Sequence, residues 1–195
     1  VVRDLFYALN TLQHRGQESC GIAVSDDKDI SCHKGMGLVQ EVFREENIQN
    51  MNGNIGIGHV RYSTAGGSYE YNTQPLLGFS KGKRIAIAHN GNLINNQLLK
   101  TRLEEDGMMF QTTIDSEVIL YLISRYYNGN MLDAVKKTMD LIKGAYSLVV
   151  MLKDKMVAVR DPYGFRPLVM GRRGDDYIFA SETGVIDVLG GEYIR

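Results

Sequence analysis

Ile55-Gly56-Ile57-Gly58-His59-Val60-Arg61-Tyr62-Ser63-Thr64-Ala65-Gly66 alternates at a period of two as far as Tyr62, then breaks into hydroxylated and small residues. A period of two marks a half-buried strand, so a strand is expected over 55–62, giving way to a loop at Ser63. A second stretch, Arg84-Ile85-Ala86-Ile87-Ala88-His89-Asn90-Gly91-Asn92, alternates as far as His89. It too is expected to leave the strand there, because Asn-Gly is a common hairpin dipeptide. Residues 63–83 between the two carry Gly, Ser, Asn and Tyr without periodicity and read as one long loop. A loop of that length inside a compact domain is usually functional.

Outward from this pair, Val2, Leu5, Phe6, Leu9 and Leu12 recur at helical spacing over 1–12. Strands are expected at 21–24 and 30–34, joined by Ser25-Asp26-Asp27-Lys28-Asp29, with a polar helix over 39–51. Helices follow at 95–105, 116–127 and 131–141, then strands at 145–152, 156–160, 168–171 and 177–180, and a short helix at 183–189. Strands in two blocks with helices between and ahead of them predict an α+β fold of antiparallel sheets covered by helices.

The chain has 195 residues, 44% hydrophobic and 23% charged, with a formal net charge of −1. That balance fits one globular domain over 1–195 and offers no electrostatic case for nucleic acid or an anionic membrane surface. No apolar run approaches the roughly 18 residues that span a bilayer. Two cysteines make no disulfide framework, and a cytoplasmic location is expected. Both ends read as cut. The opening helix has no capping residue ahead of it, and Gly191-Glu192-Tyr193-Ile194-Arg195 stops within an expected strand.

Four positions carry groups suited to chemistry. Arg61 leads into the long loop beside the hydroxyls of Tyr62, Ser63 and Thr64. A lone arginine there pairs with a nearby acid, or its rigid donor fork holds a substrate carboxylate. Asn90 and Gly91 either form a plain turn or supply a side-chain amide and an unhindered N–H, the donors an oxyanion hole requires. Asp115 precedes a helix, either as an N-cap or as a carboxylate for a substrate ammonium. Arg61 and Asp115 together would define an α-amino-acid site. Cys20 reads as a buried, unreactive thiol. Cys32 beside His33 is no thiol–imidazole pair, because consecutive strand residues face opposite ways. The four histidines and two cysteines show no zinc spacing.

His14-Arg15-Gly16-Gln17-Glu18, the stretches 59–66 and 89–92, Asp115-Ser116-Glu117, Arg160-Asp161-Pro162-Tyr163-Gly164-Phe165-Arg166-Pro167-Leu168 and Ala180-Ser181-Glu182 occur in an order that resembles the class II glutamine amidotransferases. The resemblance spans essentially the whole chain. It implies the N-terminal-nucleophile hydrolase fold, a four-layer αββα sandwich of two antiparallel sheets between helical layers. The wording is closest to the branch that carries a C-terminal phosphoribosyltransferase domain. Branches with a sugar isomerase or a synthetase domain are the alternatives, with a non-catalytic binding module of the same fold as the third.

The resemblance implies these roles. Arg61 binds the α-carboxylate of L-glutamine, helped by Tyr62, Ser63 and Thr64, and Asp115 binds the α-ammonium. Asn90 and Gly91 form the oxyanion hole, and Arg15 helps to position the nucleophile. Residues 63–78 include a loop closing over glutamine, while 160–167 and 180–182 support the sheet. The family's nucleophile is an N-terminal cysteine whose own α-amine is the base. The sequence here starts at Val1, so the resemblance implies that this stretch alone is inactive. It implies no cofactor in this domain, Mg2+ in the phosphoribosyltransferase domain, and room for an iron–sulfur cluster in a full-length, homo-oligomeric protein. Replacing Arg61 by alanine is expected to weaken glutamine binding severely with little loss of stability.

Overall fold

The structure, a computed structural model, describes residues 1–62 and 67–195. The chain runs α1 (Val2–Thr11), β1 (Ser19–Ser25), β2 (Ile30–Met36), α2 (Val39–Val42), α3 (Glu45–Asn50), β3 (Ile55–Arg61), β4 (Leu76–Ser80) and β5 (Lys83–Leu93). It continues through α4 (Asn96–Glu105), α5 (Ser116–Tyr126), α6 (Met131–Met139), β6 (Gly144–Met151), β7 (Met156–Arg160), β8 (Val169–Arg173), β9 (Asp176–Ala180), α7 (Thr183–Val188) and β10 (Glu192–Tyr193). Among the described residues these strands form three antiparallel sheets, ordered β2-β1-β3, β4-β5-β6-β7 and β10-β8-β9.

The layers follow from side-chain alternation. In β5, Ile85 and Ile87 point into a core shared with α4, α5 and α6, built around Ile119, Ile123 and Leu148. Ala86 and Ala88, on the opposite face, meet Ala23, Ile57 and Met151 between the two larger sheets. In β1, Cys20, Ile22 and Val24 face α1 and α2, packing against Leu9, Val39 and Phe43. Large residues thus face the helices, and many small ones line the sheet-to-sheet contact. The result is the expected αββα sandwich. No helix among the described residues is long and apolar enough to cross a membrane.

Three expectations change. The strand β5 does not stop at His89. Asn90, Gly91 and Asn92 continue the ladder opposite Ser147, Tyr146 and Ala145, so Asn90-Gly91 is strand, not turn. Gly91 is there for close approach: a Cβ would lie 2.2 Å from the Ala145 carbonyl oxygen. The expected loop 63–83 contains β4, which includes 76–78 of the span assigned to substrate closure. Lys81 and Gly82, with φ of +50° and +73°, make the two-residue hairpin from β4 to β5. The helix expected over 39–51 breaks at Phe43, whose backbone is extended, into α2 and α3.

Candidate active site

A cleft of about 530 Å³ gathers Arg15, Arg61, Tyr62, Asn90, Gly91 and Asp115 from four separate parts of the chain. Ser63 and Thr64 lie outside the described residues. Each remaining position is held by a local device. Arg61 ends β3, where Glu18 accepts a hydrogen bond from its guanidinium, and the Gly67 carbonyl accepts another at 3.2 Å. The Glu18 N–H also donates to the Arg61 carbonyl at 3.0 Å. Gly16 lets that turn press on β3, because a Cβ there would sit 2.5 Å from the Arg61 carbonyl carbon. The acid-paired reading of Arg61 holds: it pairs with Glu18, with side chains 6% and 12% exposed, and Arg61 also lines the cleft.

Asp115 occupies the N-cap position of α5 without capping it. Its Oδ2 instead accepts from the Leu93 N–H at 2.8 Å, and its Oδ1 lies 3.5 Å from His89 Nδ1. Burial pushes its carboxyl up, but the hydrogen bonds from His89 and Leu93 outweigh this and hold it below the ordinary carboxylate value. It stands as a fixed anion, the state required to receive an ammonium. The Asn90 side chain lines the cleft and makes no hydrogen bond among the described residues.

Arg15 is not free-standing. Its guanidinium donates to Glu182 at 2.7 Å, and His14 Nε2 lies 3.0 Å from the same oxygen. The Arg15 hydrogen bond holds the Glu182 carboxyl below its usual value, with His14 adding to it. The segment 180–182 therefore contributes to the site as well as to the sheet. So does 160–167: Asp161 accepts from the Tyr163 N–H at 2.9 Å, and the Arg166 carbonyl accepts from Arg160 Nε at 2.8 Å. That turn carries the Arg166 side chain into the cleft lining. Glu18, His89, Arg166 and Glu182 were not among the expected site residues: His89 and Arg166 line the cleft, while Glu18 and Glu182 hold Arg61 and Arg15. Glu18, near Arg15 and Gly16, and His89, beside Asn90, had sequence neighbours pointing to the site.

His59 also lines the cleft, and its pKa is pushed down to about 3 by burial first, then by His89 and Arg61, so it is neutral at physiological pH. Neither cysteine is activated. Burial and then Glu41 push Cys20 up to about 12, and burial raises Cys32; a thiolate nucleophile needs the opposite.

A second groove, of about 650 Å³, opens from this cleft at His59 and Asn90 and runs to Val1 between β3 and β9. Leu5, Leu9, Ile57, Val149 and Met170 line it. Among the described residues β3 pairs only with β1, and β9 only with β8. Two strand edges therefore border the groove.

Residues 59–187 match the family model described as a glutamine amidotransferase domain. The whole chain is 49% identical to an amidophosphoribosyltransferase of Methanothermobacter thermautotrophicus, covering 42% of it. Against the Bacillus subtilis amidophosphoribosyltransferase it is 45% identical, over 97% of this chain and 40% of that one. A solved structure described as the allosteric regulatory enzyme of purine biosynthesis superposes on the whole chain with a TM-score of 0.95 at 44% identity, covering 42% of that chain. The glutamine phosphoribosylpyrophosphate amidotransferase of B. subtilis, solved with ADP and GMP, gives 0.93 at 42% identity, again covering 42% of that chain. The chain thus spans about two-fifths of the length of these relatives.

Proposed function

Since the chain belongs to the glutamine amidotransferase domain family, we propose that it is the glutaminase part of an amidophosphoribosyltransferase. It would release ammonia from L-glutamine for transfer to phosphoribosyl pyrophosphate in purine biosynthesis. One observation carries the reading: Arg61, Asn90, Gly91 and Asp115 line one cleft, each held by its own buried contacts. That set matches the two ends and the reacting centre of glutamine. Arg61 takes the α-carboxylate, with Tyr62 beside it. Asp115 takes the α-ammonium. Asn90 and the Gly91 N–H take the oxyanion, a class of contact worth about 10²–10³ in rate per donor.

The nucleophile in this reading is a cysteine N-terminal to Val1, reaching the cleft along the apolar groove, where its segment would pair with the edges of β3 and β9. Its thiol attacks the glutamine amide carbon while its own α-amine takes the thiol proton. An α-amine titrates near 7.7–8.0 and so serves as a base close to neutrality. The tetrahedral oxyanion rests between Asn90 and Gly91. Collapse breaks the C–N bond, the proton passes from the amine to the leaving nitrogen, and ammonia departs. Water then attacks the glutamyl thioester and releases glutamate and the thiol. Arg15, held by Glu182, lies in the lining where it would position the cysteine.

The ammonia would pass to a phosphoribosyltransferase domain of the same longer chain, in a cytoplasmic homo-oligomer. No group of three or more metal-ligating side chains that could hold an ion occurs among the described residues. Mg2+ would belong to that other domain, as would any iron–sulfur cluster. The test is pyrophosphate release from phosphoribosyl pyrophosphate by the full-length gene product. Glutamine should support it, with one glutamate formed per pyrophosphate. Release with ammonia but not with glutamine would overturn the assignment.

A further inference from the structure

His89 stands where the oxyanion and ammonium subsites meet. Its side chain is 1% exposed. Nδ1 lies 3.0 Å from Ser116 Oγ and 3.5 Å from Asp115 Oδ1. Asp115, as a carboxylate, can only accept, so the ring proton belongs on Nδ1. Nε2 is then a bare acceptor, buried and without a partner among the described residues. It points at Gly91, where a Cβ would come within 2.7 Å of it. The backbone on which the ring is mounted is equally fixed. Gln74 Oε1 accepts from the His89 N–H at 2.8 Å, and Gln74 Nε2 donates to the His89 carbonyl at 3.2 Å.

An orphaned buried nitrogen costs stability and needs a reason. Packing alone would be served as well by an aromatic hydrocarbon of the same size. One rigid ring here touches Asp115 on one side and Gly91 on the other. The ring is wedged between the group that would hold an α-ammonium and the residue whose N–H would hold an amide oxyanion. The distance between those two is what tells a five-carbon amino-acid amide from a four-carbon one.

We propose that His89 is a positioning residue that sets the spacing between Asp115 and Gly91, and thereby selects glutamine over asparagine. The inference rests on the glutaminase reading above. In this role the ring acts through the two groups it separates.

The test uses the full-length gene product, assayed for glutamate from glutamine and aspartate from asparagine. H89F keeps the volume but loses the donor to Asp115. H89N places its amide nitrogen near the Nδ1 position and keeps that donor. H89Q places its amide near Nε2 and loses the Nδ1 contact. H89F and H89Q should each raise the glutamine KM about tenfold or more, the loss expected for a hydrogen bond to a charged group. Their preference for glutamine over asparagine should fall by a similar factor. H89N should return KM to within about threefold of wild type. Wild-type KM and preference in both H89F and H89Q would overturn the proposal. So would equal losses of kcat in all three variants with KM and preference intact, the pattern of a purely structural ring. H89Q carries the test if H89F does not fold. A wild-type protein that hydrolyses neither amide overturns the glutaminase reading itself, and this inference falls with it.

Discussion

At the scale of residues, the site is a set of charges that answer one another. Arg61 and Glu18 form a buried pair, and removing one member of such a pair leaves the other stranded at about 3–5 kcal/mol. This revises the expectation that Arg61→Ala would spare stability. R61A should lose glutamine binding and also unfold at lower denaturant, while the double variant with Glu18→Ala should recover most of the stability and none of the binding. Urea melts and glutamine titrations of the four proteins would show it. His59 makes a second prediction. Its folded pKa of about 3 lies below the ordinary 6.5, so folding favours the neutral ring. Its contribution is complete above about pH 6.5 and is lost as pH falls towards 3. The carboxylates held below their ordinary values of 3.8 to 4.5, Asp4, Asp26, Asp115, Asp161 and Glu182, stay charged above pH 5. Between about pH 7 and about pH 5 wild type should therefore lose up to about 2 kcal/mol that His59→Asn does not. That Arg61, Asn90, Gly91 and Asp115 share a cleft accords with the sequence, because their own side chains or N–H groups are of the types that drew the reading. Glu18, His89 and Arg166 were not legible there. Their importance lies in what they touch, and no local pattern encodes a contact between His89 and Ser116.

At the scale of elements, alternation over 55–62 and 84–89 predicted the strands β3 and β5, since it follows directly from the pleat. Where the ladder ends was not legible. Asn90-Gly91-Asn92 has turn chemistry, yet tertiary pairing with β6 keeps it extended. The strand β4 was hidden because Gly78 and Ser80 interrupt its short apolar run, and its identity comes from pairing with β5. The register that sets Leu76 against Ile87 carries Gln74 to a place opposite His89. There the Gln74 side chain takes over both backbone bonds as its own strand turns away. Gln74→Ala removes two buried bonds and should cost about 2 kcal/mol. The His89 amide should exchange faster with solvent, a change that exchange mass spectrometry resolves. Unaltered protection there would show that Gln74 is not the latch.

At the scale of the whole molecule, four layers bring the cleft wall together from both large sheets, with the turn 160–167 and the segment 180–182 closing one side. The fold and the family were readable from motif order, while the apolar groove bordered by the edges of β3 and β9 appears only in three dimensions. In the proposed mechanism this groove would deliver an N-terminal cysteine to Asn90 and Gly91. The direct measurement is covalent labelling of the full-length gene product with a reactive glutamine analogue, followed by peptide mass mapping. One label per chain is expected, on a cysteine N-terminal to Val1, prevented by excess glutamine. Label on Cys20 or Cys32, or no label at all, would contradict the mechanism.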